Sequence, residues 1–556
     1  MIVLANGCVT LQEVPFTNLT APSGRRWRPA SQDRSRNAIK PLVSSRGPSA
    51  IPSRPDPAAD AHLQTGITLL RQGRFDEAAR VFTTILAADR NCASAWHMMG
   101  MVFHQVGRYG DAIAHIQRCL ALDPRDVVAH SNLGDALREN GDLELSLQSC
   151  ERALALDPGF VHAQVNRANA LYALGRIEQA LVAYDAVLAR HPDRAKALGN
   201  RATILQQLGR HADALEGFER AMAIEPAVAD FKLNASYSYL ALGDYPKGLA
   251  LYEWRWRSGH GPRARDRGGQ PPWLGGEPLA GKTILLHAEQ GLGDTLQFCR
   301  YAGMVADLGA RVVLEAPRSL QRLMQSLKGP DLVLGEDDPP APYDLHCPLM
   351  SLPLAFGSTV STLPAQVPYL RAPEPEAAAW SRRLGPPARP RIGLVWSGGH
   401  RPGEPHLSGV NGRRNMPLAQ LAALKGVEAD FYSLQKGDPA EGEFTALDQD
   451  AWDGPRIVGL AGELGDFADT AALIEALDLV LTVDTAIAHL AGALGKPVWI
   501  LNRFDACWRW LTDRDDSPWY PTARLFRQTR PGDWDSVMAA VRRALADWIA
   551  LQALRG

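Results

Sequence analysis

Apolar residues recur along the first half of the chain at a helical period. Phe75, Ala78, Ala79, Phe82, Ile85 and Leu86 follow the i, i+3, i+4, i+7 spacing of a helix with one buried face. The pattern repeats. Gly73, Gly107, Gly141, Gly175, Gly209 and Gly243 stand 34 residues apart, and small residues follow five positions later at Ala78, Ala112, Ser146, Ala180, Ala214 and Gly248, where two helices must approach closely. Pro124, Pro158, Pro192 and Pro226 close units, because proline cannot continue a helix interior. A helix pair of this length cannot bury its own apolar face, so six copies predict neighbours stacked into an α-solenoid over residues 59–262.

Beyond 258 the pattern changes from helix pairs to alternating strand and helix. A Gly-, Pro- and Arg-rich stretch at 258–272 marks a linker, bounded at 263–279. Thr283–His287 is a β-branched and aliphatic run, followed by the turn Gly291-Leu292-Gly293-Asp294, a helix near 295–308 and a strand at Arg311–Glu315. A second series runs through Arg391–Trp396, Phe431–Leu434, Arg456–Val458, Leu479–Val483 and Pro497–Leu501, and the Pro-, Ala- and Arg-rich segment at 372–390 reads as a hinge. Such alternation predicts α/β structure with parallel strands, as two small Rossmann-like lobes at 280–375 and 390–532 and a C-terminal helix in 533–556. Two such lobes make a cleft between the carboxyl ends of their sheets, where these folds bind ligands.

Composition narrows the possibilities. At 556 residues with 46% apolar content the chain has real cores, and a net charge of −2 from 59 basic and 61 acidic residues gives no electrostatic footprint for nucleic acid or an anionic membrane. The cysteines at 8, 92, 119, 150, 299, 347 and 507 include no C-x-x-C pair, which argues against a disulfide framework or a zinc site and fits a reducing, cytoplasmic setting. No apolar run approaches the ~20 residues that span a bilayer. The MIVLANGC start lacks the basic and apolar regions of a signal peptide, and residues 1–58, rich in Ser, Pro and Arg, are expected to be disordered.

With glycines, small residues and prolines in step, residues 59–262 resemble tetratricopeptide repeats. Within them Asn132, Asn166, Asn200 and Asn234 form a further column at the 34-residue interval, two positions before a small residue. This resembles the asparagine ladder of O-linked N-acetylglucosamine transferases. The likeness implies carboxamides that bind the backbone of a protein or peptide partner; the alternative is that they satisfy local backbone groups. Residues 280–530 resemble a two-lobed GT-B glycosyltransferase of the heptosyltransferase-like group. The likeness rests on EQGLGD at 289–294, GRRNMPL at 412–418, SLQKG at 433–437 and VDTAIAHLAGALGKPVW at 483–499.

The resemblance implies donor contacts at Asp484, Thr485, Ala486 and His489. There a helix opens directly after an apolar strand, and its unpaired amides would stabilise a diphosphate. Arg414, after the Trp396-Ser397-Gly398-Gly399 turn, is placed by the same likeness to neutralise the leaving diphosphate, with Arg413 beside it as a rival, and Ser397, Gly398, Gln435 and Lys436 complete the nucleotide-sugar site. Asp294 is the candidate general base, with a helix cap as the competing role. Trp508, Trp510, Trp519 and Tyr520 are expected in the core. Asp513-Arg514-Asp515 has D-x-D spacing, yet no metal and no cofactor are expected, since helix dipole and arginine handle phosphates in this fold.

The sequence therefore predicts an inverting, metal-independent glycosyltransferase that faces a nucleotide sugar across an inter-lobe crevice, with Asp294 opposite the helix start at 484. Its acceptor is a protein recruited by the repeats, or alternatively a lipid-linked or envelope glycan. The rival from a different class is a non-catalytic repeat scaffold with a decayed transferase domain.

Overall fold

The computed structural model describes residues 57–259, 261–262, 271–399 and 412–554; of the segment expected to be disordered, 1–56 lie outside them and 57–58 open the first helix, and residues 263–270 of the linker also lie outside. The chain divides into two compact units at Pro192/Asp193.

The first unit consists of antiparallel helix pairs: α1 (Pro57–Arg71) with α2 (Phe75–Ala88), α3 (Ala93–Gln105) with α4 (Tyr109–Leu122), α5 (Val127–Asn140) with α6 (Leu143–Leu156), and α7 (Val161–Ala173) with α8 (Ile177–Arg190). The periodic glycines make the turns inside each pair. Gly73, Gly107, Gly141 and Gly175 have φ of 73°, 73°, 88° and 74°, a left-handed backbone that costs a side chain about 1–2 kcal/mol. The small column lets the helices touch: Ala78, Ala112, Ser146 and Ala180 are buried. Gly134 shows how tight the contact is, since a Cβ there would stand 2.4 Å from Cys150 Sγ.

The second unit begins with two more pairs, α9 (Ala195–Gln207) with α10 (His211–Ile224) and α11 (Ala229–Ala241) with α12 (Tyr245–Tyr252). Two parallel sheets follow. The first contains β1 (Thr283–His287), β2 (Arg311–Ala316), β3 (Pro330–Gly335) and β4 (Leu345–Pro348) in the order β3-β2-β1-β4, with Ile284 paired to Val312 on one side and Leu345 on the other. The second contains β5 (Arg391–Val395), β6 (Asp430–Ser433), β7 (Ile457–Gly459), β8 (Leu479–Val483), β9 (Val498–Asn502) and β10 (Ala523–Arg527) in the order β10-β9-β8-β5-β6-β7. Strands β5 and β8 are buried at every position, as expected of a parallel sheet covered on both faces. Helix Trp534–Ala553 lays Trp534, Val537, Met538, Val541 and Leu545 into the same cluster as Ile392, Leu394, Leu481 and Trp499.

β3, β4 and β10 lie outside the strands read from sequence: β3 exposes Asp331 and Leu332, and β4 has only four residues. The hinge expectation is corrected. Residues Glu374–Leu384 form a helix with Trp380 buried, tied to the second lobe by an Arg383–Glu463 ion pair. The Pro-rich composition misleads here because Pro375 sits in the first turn, where its missing N–H has no role.

One core joins the last repeat helices to both lobes. Leu240, Tyr245, Leu249 and Tyr252 share a cluster with Leu296, Phe298, Leu490, Trp508 and Trp519. The Tyr245 ring lies 6.0 Å from that of Trp508 and 6.2 Å from that of Trp519. Burying aromatic groups of this size stabilises by about 1.5–3 kcal/mol each. Trp508, Trp510, Trp519 and Tyr520 are thus core, as the sequence suggested.

Candidate functional site

In the second sheet the chain runs outward through β5, β6 and β7 and then returns to build β8, β9 and β10 on the other side. The order reverses between β5 and β8, and parallel sheets of this kind bind ligands outside the carboxyl ends of the strands at that point. The residues just beyond these two ends are Trp396, Ser397 and Gly398 after β5 and Asp484 and Thr485 after β8. Six of the residues expected to hold a nucleotide sugar flank this switch point or are joined to it: Ser397, Gly398, Arg414, Asp484, Thr485 and Ala486.

Asp484 to Ala486 are half-buried. The cap of helix Ala486–Ala493 is Thr485, one residue after the position expected; its hydroxyl accepts from Ile487 N at 3.3 Å and meets Thr482 Oγ1 at 3.0 Å. Arg414 lies directly on Gly398, where a Cβ would come within 2.2 Å of its Nη2. Gly398 N donates to Asn415 Oδ1 at 2.9 Å, which holds the 412–416 segment against the turn. Arg413 is engaged elsewhere, with Asp505 beyond β9, at 3.0 Å from Nε and 2.9 Å from Nη2. Of the two adjacent arginines, the structure brings Arg414 to the switch point.

Beside it opens a cavity of about 560 Å³ lined by Trp396, Ser397, Asn415, Met416, Glu443 and Trp452 among others. Apolar walls with a few polar groups suit a planar heterocycle. The Trp396 indole N–H is buried without a partner among the described residues.

Three expected donor residues are placed differently. Gln435 is buried, and its Oε1 accepts from Ser397 N at 2.9 Å and Trp396 N at 3.2 Å, so it braces the turn from behind. Lys436 donates its ammonium to the Leu464 carbonyl. His489 is 5% exposed, stacks on Trp510 with ring centroids 5.4 Å apart, and shares a 2.9 Å hydrogen bond between Nδ1 and Tyr520 Oη. Burial, with Arg509 and Arg300 nearby, holds its pKa well below the usual histidine range. Gln435 and His489 are thus buried with partners inside the protein, whereas Lys436 is exposed with its ammonium on the Leu464 carbonyl.

The first-lobe turn brings a further correction. An open crevice was expected between Gly291–Asp294 and the helix start near 484; instead the two are in contact. A Cβ on Gly293 would stand 2.8 Å from His489 Cδ2 and 3.4 Å from Ala486 Cα, so only glycine admits this approach. Asp294 Oδ2 accepts from Gly291 N at 2.8 Å, capping helix α13 (Leu292–Phe298), and Oδ1 meets Arg509 Nη2 at 2.5 Å. The expected free base is thus a cap and an inter-lobe ion pair. Arg509 itself is buried and also donates to Gln297 Oε1 at 2.7 Å. From the first lobe, Arg300 reaches across to the Trp519 carbonyl at 2.8 Å and is held within its own lobe by the Pro364 carbonyl at 3.0 Å.

Sequence reasoning missed how the motif at 289–294 is anchored. Arg255, in the 3-10 turn after α12, is buried and donates to Glu289 Oε1 at 3.0 Å, Glu253 Oε1 at 2.6 Å and Ser351 Oγ at 2.7 Å. Gln290 Nε2 donates to Tyr252 Oη at 2.8 Å. Burial pushes Glu289 up to about 7, against the pull of Arg255 and with the push of Asp294. The first two residues of EQGLGD therefore join the lobe to the last repeat pair. The only local signal was an arginine amid aromatic residues, Trp254-Arg255-Trp256.

All four column asparagines are half-buried. In the first unit Asn132 Nδ2 lies 2.9 Å from His97 Nε2, and Asn166 Nδ2 donates to the Ser131 carbonyl at 3.1 Å, each reaching the preceding repeat. In the second unit Asn200 sits on α9 and Asn234 on α11, where the Asn234 carbonyl accepts from Gln206 Nε2 at 2.8 Å.

Residues 63–126, 97–159, 137–202 and 195–228 match tetratricopeptide-repeat models, and residues 437–501 match that of glycosyltransferase family 9 (heptosyltransferase). The chain thus carries tetratricopeptide repeats followed by an α/β region, and the segment of it that matches the family 9 glycosyltransferase model contains β8 and the helix start at 484–486. Among curated proteins it is similar to protein FlbA of Caulobacter vibrioides, at 28% identity over 338 residues, 56% of this chain and 54% of FlbA. The chain thus matches about half the length of that relative. Among solved structures it resembles PilF of Pseudomonas aeruginosa (19% identity, 36% of this chain and 91% of that one, TM-score 0.32). It also resembles a thermophilic tetratricopeptide-repeat protein of Thermus thermophilus (21% identity, 33% and 99%, TM-score 0.30). No helix among the described residues is long and apolar enough to cross a membrane.

Proposed function

We propose that this chain is a glycosyltransferase that takes a sugar from a nucleotide-sugar donor and passes it to a protein or peptide held by its repeats. The observation that carries the reading is that Arg414 packs on Gly398 just past β5, while the adjacent strand β8 leads straight into the amide end of helix Ala486–Ala493. Amides at a helix start and a planar guanidinium both favour a diphosphate, so its charge is offset there without a metal ion. The cavity lined by Trp396, Met416 and Trp452 takes the base. The displacement is inverting in this reading, and for Asp294 to accept the acceptor hydroxyl's proton it must first release Arg509. Asn132, Asn166, Asn200 and Asn234 offer their remaining amide groups to the acceptor backbone. The site lies in the cytoplasm, where nucleotide sugars are made.

A second reading, a non-catalytic repeat scaffold, is favoured by one specific observation: Asp294, Gln435, Lys436 and His489 are all engaged within the protein. Calorimetric titration of the purified chain with uridine, adenosine and guanosine diphosphate sugars separates the two. The transferase reading expects one donor to bind, and Arg414→Ala and Gly398→Ala to weaken it by about tenfold or more, a loss of about 1.4 kcal/mol. If no donor binds at millimolar concentration, the scaffold stands. Replacing the four asparagines by alanine is expected to abolish transfer to a protein acceptor while donor affinity stays unchanged; undiminished transfer would refute the ladder.

A further inference from the structure

Three side chains with no part in sugar transfer converge where the second helix pair of the first unit meets the third. His97 lies on α3, Cys119 near the end of α4, and Asp126 caps the start of α5. Their ligand atoms all lie within 4.8 Å of one another. His97 Nδ1 is 3.7 Å from Asp126 Oδ2, and Cys119 Sγ is 3.8 Å from the same oxygen. The nitrogen is too far for a direct N–H···O bond, whose range is about 2.7–3.2 Å. Both distances are close to the roughly 3.3–3.6 Å between ligand atoms that a tetrahedral ion imposes when Zn–N and Zn–O are about 2.0 Å and Zn–S about 2.3 Å.

Two of the three groups, Asp126 and His97, are oriented by a second contact that leaves the inward atom available. Asp126 Oδ1 accepts from Ala129 N at 2.9 Å, which fixes the carboxylate and directs Oδ2 inward. His97 turns Nε2 to the Asn132 amide at 2.9 Å. The structure sets Asn132 Nδ2 against that nitrogen; turning the carboxamide over, which exchanges its O and N without changing its shape, presents the oxygen to an Nε2–H and leaves the imidazole lone pair on Nδ1, the arrangement in which a histidine ligand is held by an outer partner. His97 and Cys119 are buried, whereas the Asp126 side chain is 25% exposed, so ion and water enter from its side.

We propose that His97 Nδ1, Cys119 Sγ and Asp126 Oδ2 bind one zinc ion, with water in the fourth position. The donor set points to zinc: thiolate and imidazole favour it, while magnesium and calcium prefer oxygen throughout. Charge balances, since one thiolate and one carboxylate neutralise the divalent cation; the thiol proton passes to solvent on binding, so affinity rises with pH. No zinc-finger spacing marks the three ligands, which lie on two helices and at the cap of a third. The ion would staple α3 and α4 to α5 and fix Asn132, the first residue of the asparagine column, through His97.

The test uses the full chain without a polyhistidine tag, stripped with a chelator and titrated with Zn²⁺ in competition with a chromophoric chelator, and separately with Co²⁺. One ion per chain is expected, with a thiolate-to-cobalt charge-transfer band. Cys119→Ser is expected to remove the band, and Cys119→Ser and Asp126→Asn each to weaken zinc binding tenfold or more with helical circular dichroism unchanged. Asparagine keeps the capping oxygen, so its effect separates ligation from folding. Cys150→Ser, a thiol outside the cluster, is expected to leave binding intact. Failure of the wild type to take up a stoichiometric ion, or a cobalt band that survives in Cys119→Ser, would overturn the proposal.

Discussion

Replacing Asp294 by alanine tests whether the first-lobe turn is held by charge. The carboxylate and the Arg509 guanidinium meet at 2.5 Å with side chains 22% and 9% exposed. At an effective dielectric of about 20, two unit charges at this separation attract by about 7 kcal/mol, and desolvation offsets several of these. Removing one partner leaves the buried guanidinium uncompensated, at a cost of about 3–5 kcal/mol. Loss of the acceptor for Gly291 N adds about 1 kcal/mol. Asp294→Asn keeps that cap and loses only the charge, so it is expected to fall about 1 kcal/mol short of the alanine loss. Denaturant unfolding of wild type, Asp294→Ala, Arg509→Met and the double variant gives the coupling from a double-mutant cycle, expected at about 2 kcal/mol or more. A coupling below about 0.5 kcal/mol, or an alanine variant as stable as wild type, would show that the pair holds nothing and that Asp294 is free for proton transfer alone.

Two further outcomes follow from the same region. Glu289 has its pKa raised from 4.5 to about 7, so the folded chain keeps a proton that the unfolded chain has lost. Its contribution is full below about pH 4.5, falls as pH rises to about 7, and is flat above. The stability of wild type relative to Glu289→Gln should drop by about 3 kcal/mol across that window, and a pH-independent difference in denaturant unfolding would count against the raised value. Gly293→Ala places a methyl group 2.8 Å from a histidine pinned by Tyr520 and Trp510; a loss of about 1–3 kcal/mol is expected, and a neutral result in thermal unfolding would mean that the lobes yield there.

The candidate site was partly legible in the sequence. Asp484-Thr485-Ala486 could be read because a strand end and a helix start are local events, marked by an apolar run and a capping hydroxyl. Arg414 and Arg413 could not be told apart, since what separates them is Asp505, 92 residues from Arg413. His489 and Gln435 show the same limit: a polar side chain near a strand end or early in a helix looks the same in sequence whether it faces a ligand or, as here, Tyr520 and the Ser397 amide.

By itself the sequence determined the repeats and the alternation of strand and helix, because a 34-residue period, left-handed glycine turns and buried apolar strands are set by short-range sterics and local burial. Only the tertiary structure decided which charged groups are free. It set Glu289 on Arg255 and Asp294 on Arg509, and it closed the gap at Gly293. Such pairings depend on segments far apart in the chain being brought within a few ångströms, where burial makes an unpaired charge too costly to leave.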